Sequence, residues 1–350
     1  EGLVALTTTT TSGSKVYRET TKVFSYQPGK SLLVLNTFVM EPAKTGLRQR
    51  VGYYGAANGM YLELADSTLS FVERSAVTGS VTETRVPQAS WNVDRLDGTG
   101  PSKRTLDITK AQIMWADIEW LGLGTVRLGF IIDGVFVHCH SFHHANYITS
   151  TYITTASLPL RYEVENTGTT ASASTLKQVC STVISEGGYE LRGLQQAVSI
   201  PVNTPRTLGT AGVFYPVVSI RLKASPDRLD AIVILTALSI MGISNSEFNW
   251  QVRASATTTG GTWTSAGTNS AIEYNLTGTA TTGGRILASG FFNTSNQSSS
   301  TVDILKEALF KFQMERNFFT STPYELSLVV ASSGNSDTLV ASMDWEEISR

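Results

Sequence analysis

Residues 96–147, LDGTGPSKRTLDITKAQIMWADIEWLGLGTVRLGFIIDGVFVHCHSFHHANY, decide the fold. Three runs in it, 112–121, 125–132 and 135–140, are rich in β-branched and aromatic residues, the composition of strands. Their connectors, Gly122-Leu123-Gly124 and Asp133-Gly134, supply the positive-φ residues that tight hairpins need. The stretch therefore predicts three adjacent antiparallel strands. It also holds all four histidines of the chain.

Working outward, strand signals recur at 16–26, 31–40, 47–54, 60–64, 68–74 and 80–86, and again at 158–165 and 173–184. Turns such as Pro28-Gly29, Lys44-Thr45-Gly46 and Asn58-Gly59 separate them. A strand about every ten residues is the rhythm of a β-sandwich or jelly roll. The composition breaks at Ser185-Glu186-Gly187-Gly188, and a second series of strands follows at 189–200, 213–222, 231–241, 247–255, 271–276, 285–292, 324–331 and 338–348. One short helix is expected at 303–308, capped by Asp303. The expected fold is all-β: two antiparallel β-sandwich domains of jelly-roll, concanavalin-like type at 15–185 and 186–350. The tract TTTTTSGS at 7–14 has nothing apolar to bury, so residues 1–14 are expected to form a flexible arm.

Charged residues make up 16% of the chain and the net charge is −2, against roughly 25% charged in ordinary soluble domains. With no basic block, the electrostatic footprint of a nucleic-acid binder is missing. No apolar run approaches the ~20 residues of a membrane helix, so neither nucleic acid nor membrane is an expected partner. The chain opens at Glu1 without an initiator Met, which leaves room for an N-terminal anchor that is not in the sequence. Cys139 and Cys180 are the only cysteines, too few for a disulfide framework, and both are expected to be reduced and buried.

Three constellations carry potential chemistry. His138 and His140 occupy i and i+2 of a strand, which puts both rings on one face and makes them candidate ligands for a transition metal. Two ligands do not close a site, but three chains on a threefold axis would supply six. Asp117 and Glu119 form a second same-face pair, a partial match to the strand-borne acids of retaining glycosidases; Trp115 and Leu121 stand where a third acid would be. Trp263, in the small polar run Gly260-Gly261-Thr262-Trp263, is the candidate platform for stacking a sugar. Phosphate loops, G-x-S-x-G elbows and H-E-x-x-H motifs are all absent from the sequence.

Several motifs taken together give the chain a resemblance. They are DGTGPS at 97–102, "W-L-G-x-G-x-V-R-x-G-F-x-I-D-G" from Trp120, "H-C-H-x-F-x-H-A-N" from His138, FSYQPGKSLLVL at 24–35, RQRVGYY at 48–54, STVISEGG at 181–188, GGTW at 260–263 and DWEEI at 344–348. As a set they resemble a family of virion structural proteins of tailed phages, mainly marine and cyanobacterial, and they span most of the chain. The resemblance implies a β-sandwich fibre, decoration or tail-appendage protein located in the virion. Its partners would be other virion proteins and copies of itself, as a symmetric oligomer with a trimer expected. It transfers no catalytic residue and no cofactor, and the chain is expected not to be an enzyme. The alternative is a carbohydrate-binding adhesin that recognises a host surface glycan, and the remaining reading is a glycan hydrolase using Asp117 and Glu119.

Overall fold

Alternation of apolar and polar residues builds this molecule. In Leu32–Val39 every second residue is buried and the others are half-exposed, the pattern of a strand with one face on a core. The computed structural model describes residues 2–348 apart from 22, 25, 27–29, 186–192, 226–227, 230, 296–297, 300–301, 304–312, 315, 318–319 and 321. Two compact units divide it, Glu1–Tyr189 and Glu190–Arg350. Of the predicted breakpoint, residues 186–188 lie outside the described residues.

The first unit contains β1 (Val4–Thr8), β2 (Lys15–Glu19), β3 (Leu32–Val39), β4 (Leu47–Tyr54), β5 (Gly59–Ala65), β6 (Thr68–Ser75), β7 (Thr82–Pro87), β8 (Gln112–Ile118), β9 (Val126–Ile132), β10 (Val135–Phe142), β11 (Leu160–Asn166) and β12 (Ser174–Ser185). They form two six-stranded sheets, ordered β1-β12-β3-β8-β9-β10 and β2-β11-β4-β5-β6-β7. All pairings are antiparallel. The chain changes sheet at β1–β2, β2–β3, β3–β4, β7–β8, β10–β11 and β11–β12, which is jelly-roll connectivity. Val34, Phe38, Met114, Phe130, Val51, Leu62 and Phe71 fill the interior with essentially no exposure. The predicted meander is β8–β10, and Asp133 and Gly134 turn with φ of 52° and 76°, a type I′ hairpin.

The N-terminal tract departs from expectation. Val4–Thr8 is an edge strand paired with Ser174–Gln178 of β12. Beyond it, Asn166 Nδ2 donates to the carbonyls of Thr9 (2.7 Å) and Thr11 (3.1 Å), and Gly13 N–H donates to Asn166 O (2.8 Å). A threonine tract with nothing apolar to bury is thus held by hydrogen bonds to one buried asparagine.

The second unit is also antiparallel. One sheet orders Leu194–Ser199, Thr338–Ile348, Ile232–Gly242 and Val302–Asp303, with Arg206–Thr207 pairing onto Thr338–Ile348. The other orders Thr264–Ser265, Ile272–Asn275, Tyr215–Leu222, Glu325–Ser332, Glu247–Thr259, Ala280–Ser295 and Ser298–Ser299. Val218, Ile220, Trp250, Val252, Leu328 and Trp345 lie in its core. The predicted helix falls mostly outside the described residues; its cap, Asp303, pairs with Ser239 as strand. Among the described residues the one helical element is the 3₁₀ turn Gln88–Ser90.

Candidate functional site

The outward face of the first sheet is organised around Trp115. Register places Leu35, Trp115, Gly129 and His138 in one cross-strand row. A Cβ on Gly129 would stand 2.8 Å from Trp115 Nε1 and 2.0 Å from the Val137 carbonyl. The absence of a side chain there lets the indole lie across β9. Phe136 and His138 each bring a ring centroid to 5.8 Å from that of Trp115.

His138 and His140 do not share a face. The β9–β10 register shifts between them, with His138 opposite Gly129 and His140 opposite Leu128. Cys139 is therefore the extra residue of a β-bulge, and the i, i+2 rule fails across it. His138 stays on the outer face, its Nε2 2.9 Å from Ser141 Oγ. His140 turns inward, edge-on to Phe142 at 4.6 Å, and its Nδ1 accepts the Asn92 N–H at 3.3 Å. Burial, with the positive charge of Arg127, holds the His138 imidazole below its ordinary value. Burial, with His143 and His138 nearby, brings His140 down to about 4. Both rings are neutral at neutral pH, and among the described residues no group of three or more His, Cys, Asp or Glu is arranged to hold a metal.

Asp117 and Glu119 lie together as predicted, but one guanidinium takes up both. Arg127 Nη2 donates to Asp117 Oδ2 and to Glu119 Oε1, the latter at 3.0 Å. The carboxylates flank a cation on a sheet face and do not face each other across a cleft. Trp263 is half-buried, with the Arg221 guanidinium 4.0 Å from its ring centroid, so one stacking face is occupied within the chain. The two thiols are free. Cys139 is buried, whereas Cys180 is exposed, contrary to expectation. They sit on β10 and β12 with three strands between them.

Two arrangements escaped the sequence reading. Across the second sheet of the same unit runs a ladder of paired charges. Glu163 accepts from Arg50 and from Arg161, the latter at 2.6 Å, with Lys15 Nζ at 3.3 Å. Burial alone would raise the Glu163 carboxyl, but Arg50 and Arg161 outweigh it and hold it at about 2, so it is a permanent anion and no proton donor. The second is His144, which is buried. Its Nδ1 lies 2.6 Å from Gly124 O, its Nε2 lies 2.8 Å from Glu73 Oε2, and its ring stacks on Tyr152 at 3.9 Å. A carbonyl and a carboxylate are both acceptors, so both ring nitrogens donate and the ring is an imidazolium.

No protein-family model matches the chain, and no curated protein does. Among solved structures it is similar to a GH43 protein from Bacillus licheniformis, at 9% identity and TM-score 0.30, covering 49% of this chain and 32% of that one. It is similar to a Crh5 transglycosylase at 11% identity and TM-score 0.29, covering 50% and 71%. It is also similar to a botulinum neurotoxin type C structure at 9% identity and TM-score 0.30, covering 99% and 89%. The chain thus spans about a third of the GH43 protein. Against the expectation that the chain is not an enzyme, the first two are structures of enzymes. At these scores the likenesses assign neither an activity nor a ligand, and what stands is the β-sandwich architecture built from the chain's own sheets.

Proposed function

We propose that the chain is a structural component of a tailed-phage virion, a fibre, decoration or tail-appendage protein that assembles as a symmetric homo-oligomer, trimeric by preference, alongside other virion proteins. The resemblance of its turn and strand-end motifs supports this reading. The observation that carries it is the outward face of the sheet β1-β12-β3-β8-β9-β10. Phe136 is 53% exposed, Ile184 49% and Ile113 38%, around the half-buried Leu33 and Leu35 and the flat ring of Trp115. Register places these side chains on one face across β12, β3, β8 and β10. An apolar patch of this kind, bordered by the Asp117–Arg127 ion pair beside Leu33, is what an assembly interface covers.

Native mass tests it directly. The expectation is an oligomer at micromolar concentration that Phe136→Glu combined with Ile113→Lys converts to a folded monomer. A wild-type monomer would refute the assembly, and an oligomer indifferent to the double variant would remove this face from it.

A further inference from the structure

We propose that the second unit carries a saccharide-binding cleft where Tyr215–Leu222, Glu247–Thr259, Ala280–Ser295 and Glu325–Ser332 come together, with Phe291 as its stacking platform and Asn249 as its hydrogen-bonding centre. The site uses none of the residues read as candidates from the sequence, and it is independent of the assembly face.

Register builds the cleft. Phe291 pairs with Asn249, and Asn249 pairs with Ala331. Phe214 precedes the Tyr215–Val330 pair and so stands beside Ala331 on the next strand. Phe248 and Trp250, the neighbours of Asn249 in sequence, face the core, which places the row Phe291, Asn249, Ala331, Phe214 on the opposite face. Three strand spacings separate the two phenyl groups, on the order of 14 Å. Only a methyl group and an amide lie between them. The resulting cavity has a volume of about 610 Å³, within the range of roughly 300–1,000 Å³ typical of ligand pockets. On the core side of the same strands, Phe248 and Phe292 stack at 4.9 Å and back the cleft.

The chemistry of the lining selects the ligand. Phe291 is 79% exposed, a cost that an isolated surface gains nothing from. Asn249 Oδ1 is shielded from solvent and has no hydrogen-bond donor. At the rim, the Glu247 carboxylate accepts the Ser333 hydroxyl. A purely apolar occupant would leave the Asn249 oxygen unsatisfied, which is the expensive outcome for a buried acceptor. A pyranose meets both demands. Its C–H face lies against a phenyl ring, and its edge hydroxyls donate to Glu247 and, once the Asn249 amide turns towards them, to Asn249 Oδ1.

The test is saturation-transfer NMR on the whole chain, with the methyl pyranosides of glucose, galactose, mannose and N-acetylglucosamine at millimolar concentration. Transfer to at least one is expected, with affinity falling by about tenfold or more in Phe291→Ala and in Asn249→Ala. Unchanged melting temperature and circular dichroism in both variants establish that the fold is intact. Absence of transfer to every glycoside overturns the proposal, as does transfer unaffected by both substitutions. A concentration-dependent dimer that Phe291→Ala abolishes, without saccharide transfer, would show that a second copy of the chain occupies the cleft and would equally overturn it. The Phe136 double variant, which tests assembly, leaves this site untouched, so the two readings fail separately.

Discussion

Replacing His144 with Gln should remove a pH-dependent clamp from the first unit. The imidazolium joins the segment after β10 to Glu73 of β6 and to the Gly124 carbonyl of the β8–β9 turn, with Tyr152 stacked on its face. His144 and Glu73 are 5% and 12% exposed in their side chains, so the pair is well shielded from solvent. Taking the cation from a buried pair costs about 3–5 kcal/mol, since the carboxylate is left without it. In a unit of this size each kcal/mol is worth roughly 2–4 °C, which predicts a fall on the order of 10 °C in the melting temperature of the first unit. The pH dependence identifies the cause. Burial by itself pushes the imidazole down, but the hydrogen bond and charge of Glu73, helped by the Gly124 carbonyl, outweigh it and the pKa is raised. The folded state therefore holds this proton more tightly than the unfolded chain does. The contribution is complete below the unfolded value of about 6.5 and drains away as pH rises through the folded value. Thermal melts of wild type and His144→Gln from pH 6 to pH 9 should show a gap that is widest at the acid end and narrows upward. A gap that is constant with pH, or widens, would refute the imidazolium.

His140 predicts the opposite slope. Its folded pKa is depressed to about 4, so it contributes stability above about 6.5 that is lost as pH falls towards 4, up to about 3 kcal/mol; an acid-side titration of His140→Phe should lack that loss. Glu163→Gln should destabilise the first unit by about 3–5 kcal/mol, because Arg50 and Arg161 remain buried without their shared anion. In the wild type, the contribution of Glu163 is present above about 4.5 and disappears as pH falls through about 2. Denaturant unfolding at pH 7 and pH 3 checks both statements, and a variant as stable as the wild type at pH 7 would sink them.

What the sequence made legible, and what it hid, follows from how far each feature reaches. Strand existence is local, so the alternation in Leu32–Val39 and the Asp133-Gly134 turn were readable from a few residues each. The charge ladder was half readable. Arg161, Glu163 and Glu165 alternate with Leu160, Tyr162 and Val164, which assigns them to the face away from the core, where solvent exposure is the ordinary expectation. The burial of Arg161 and Glu163 comes from neighbours far along the chain: Arg50 on β4, and Tyr17 on β2, whose ring sits 3.9 Å from the Arg161 guanidinium. The bulge at Cys139 left no such trace, because nothing in Val137-His138-Cys139-His140 says that the register will slip by one. That slip separates the two histidines, and it turns the predicted metal pair into a surface ring beside Trp115 and a core ring beside Phe142. Phe291 and Phe214 were hidden for a further reason: they are 77 positions apart in sequence and become two walls of one cleft only when three strand pairings align them. In an all-β chain a site is a property of register across several strands, which depends on which strands pair and where a bulge falls, and neither is written in one strand's pattern.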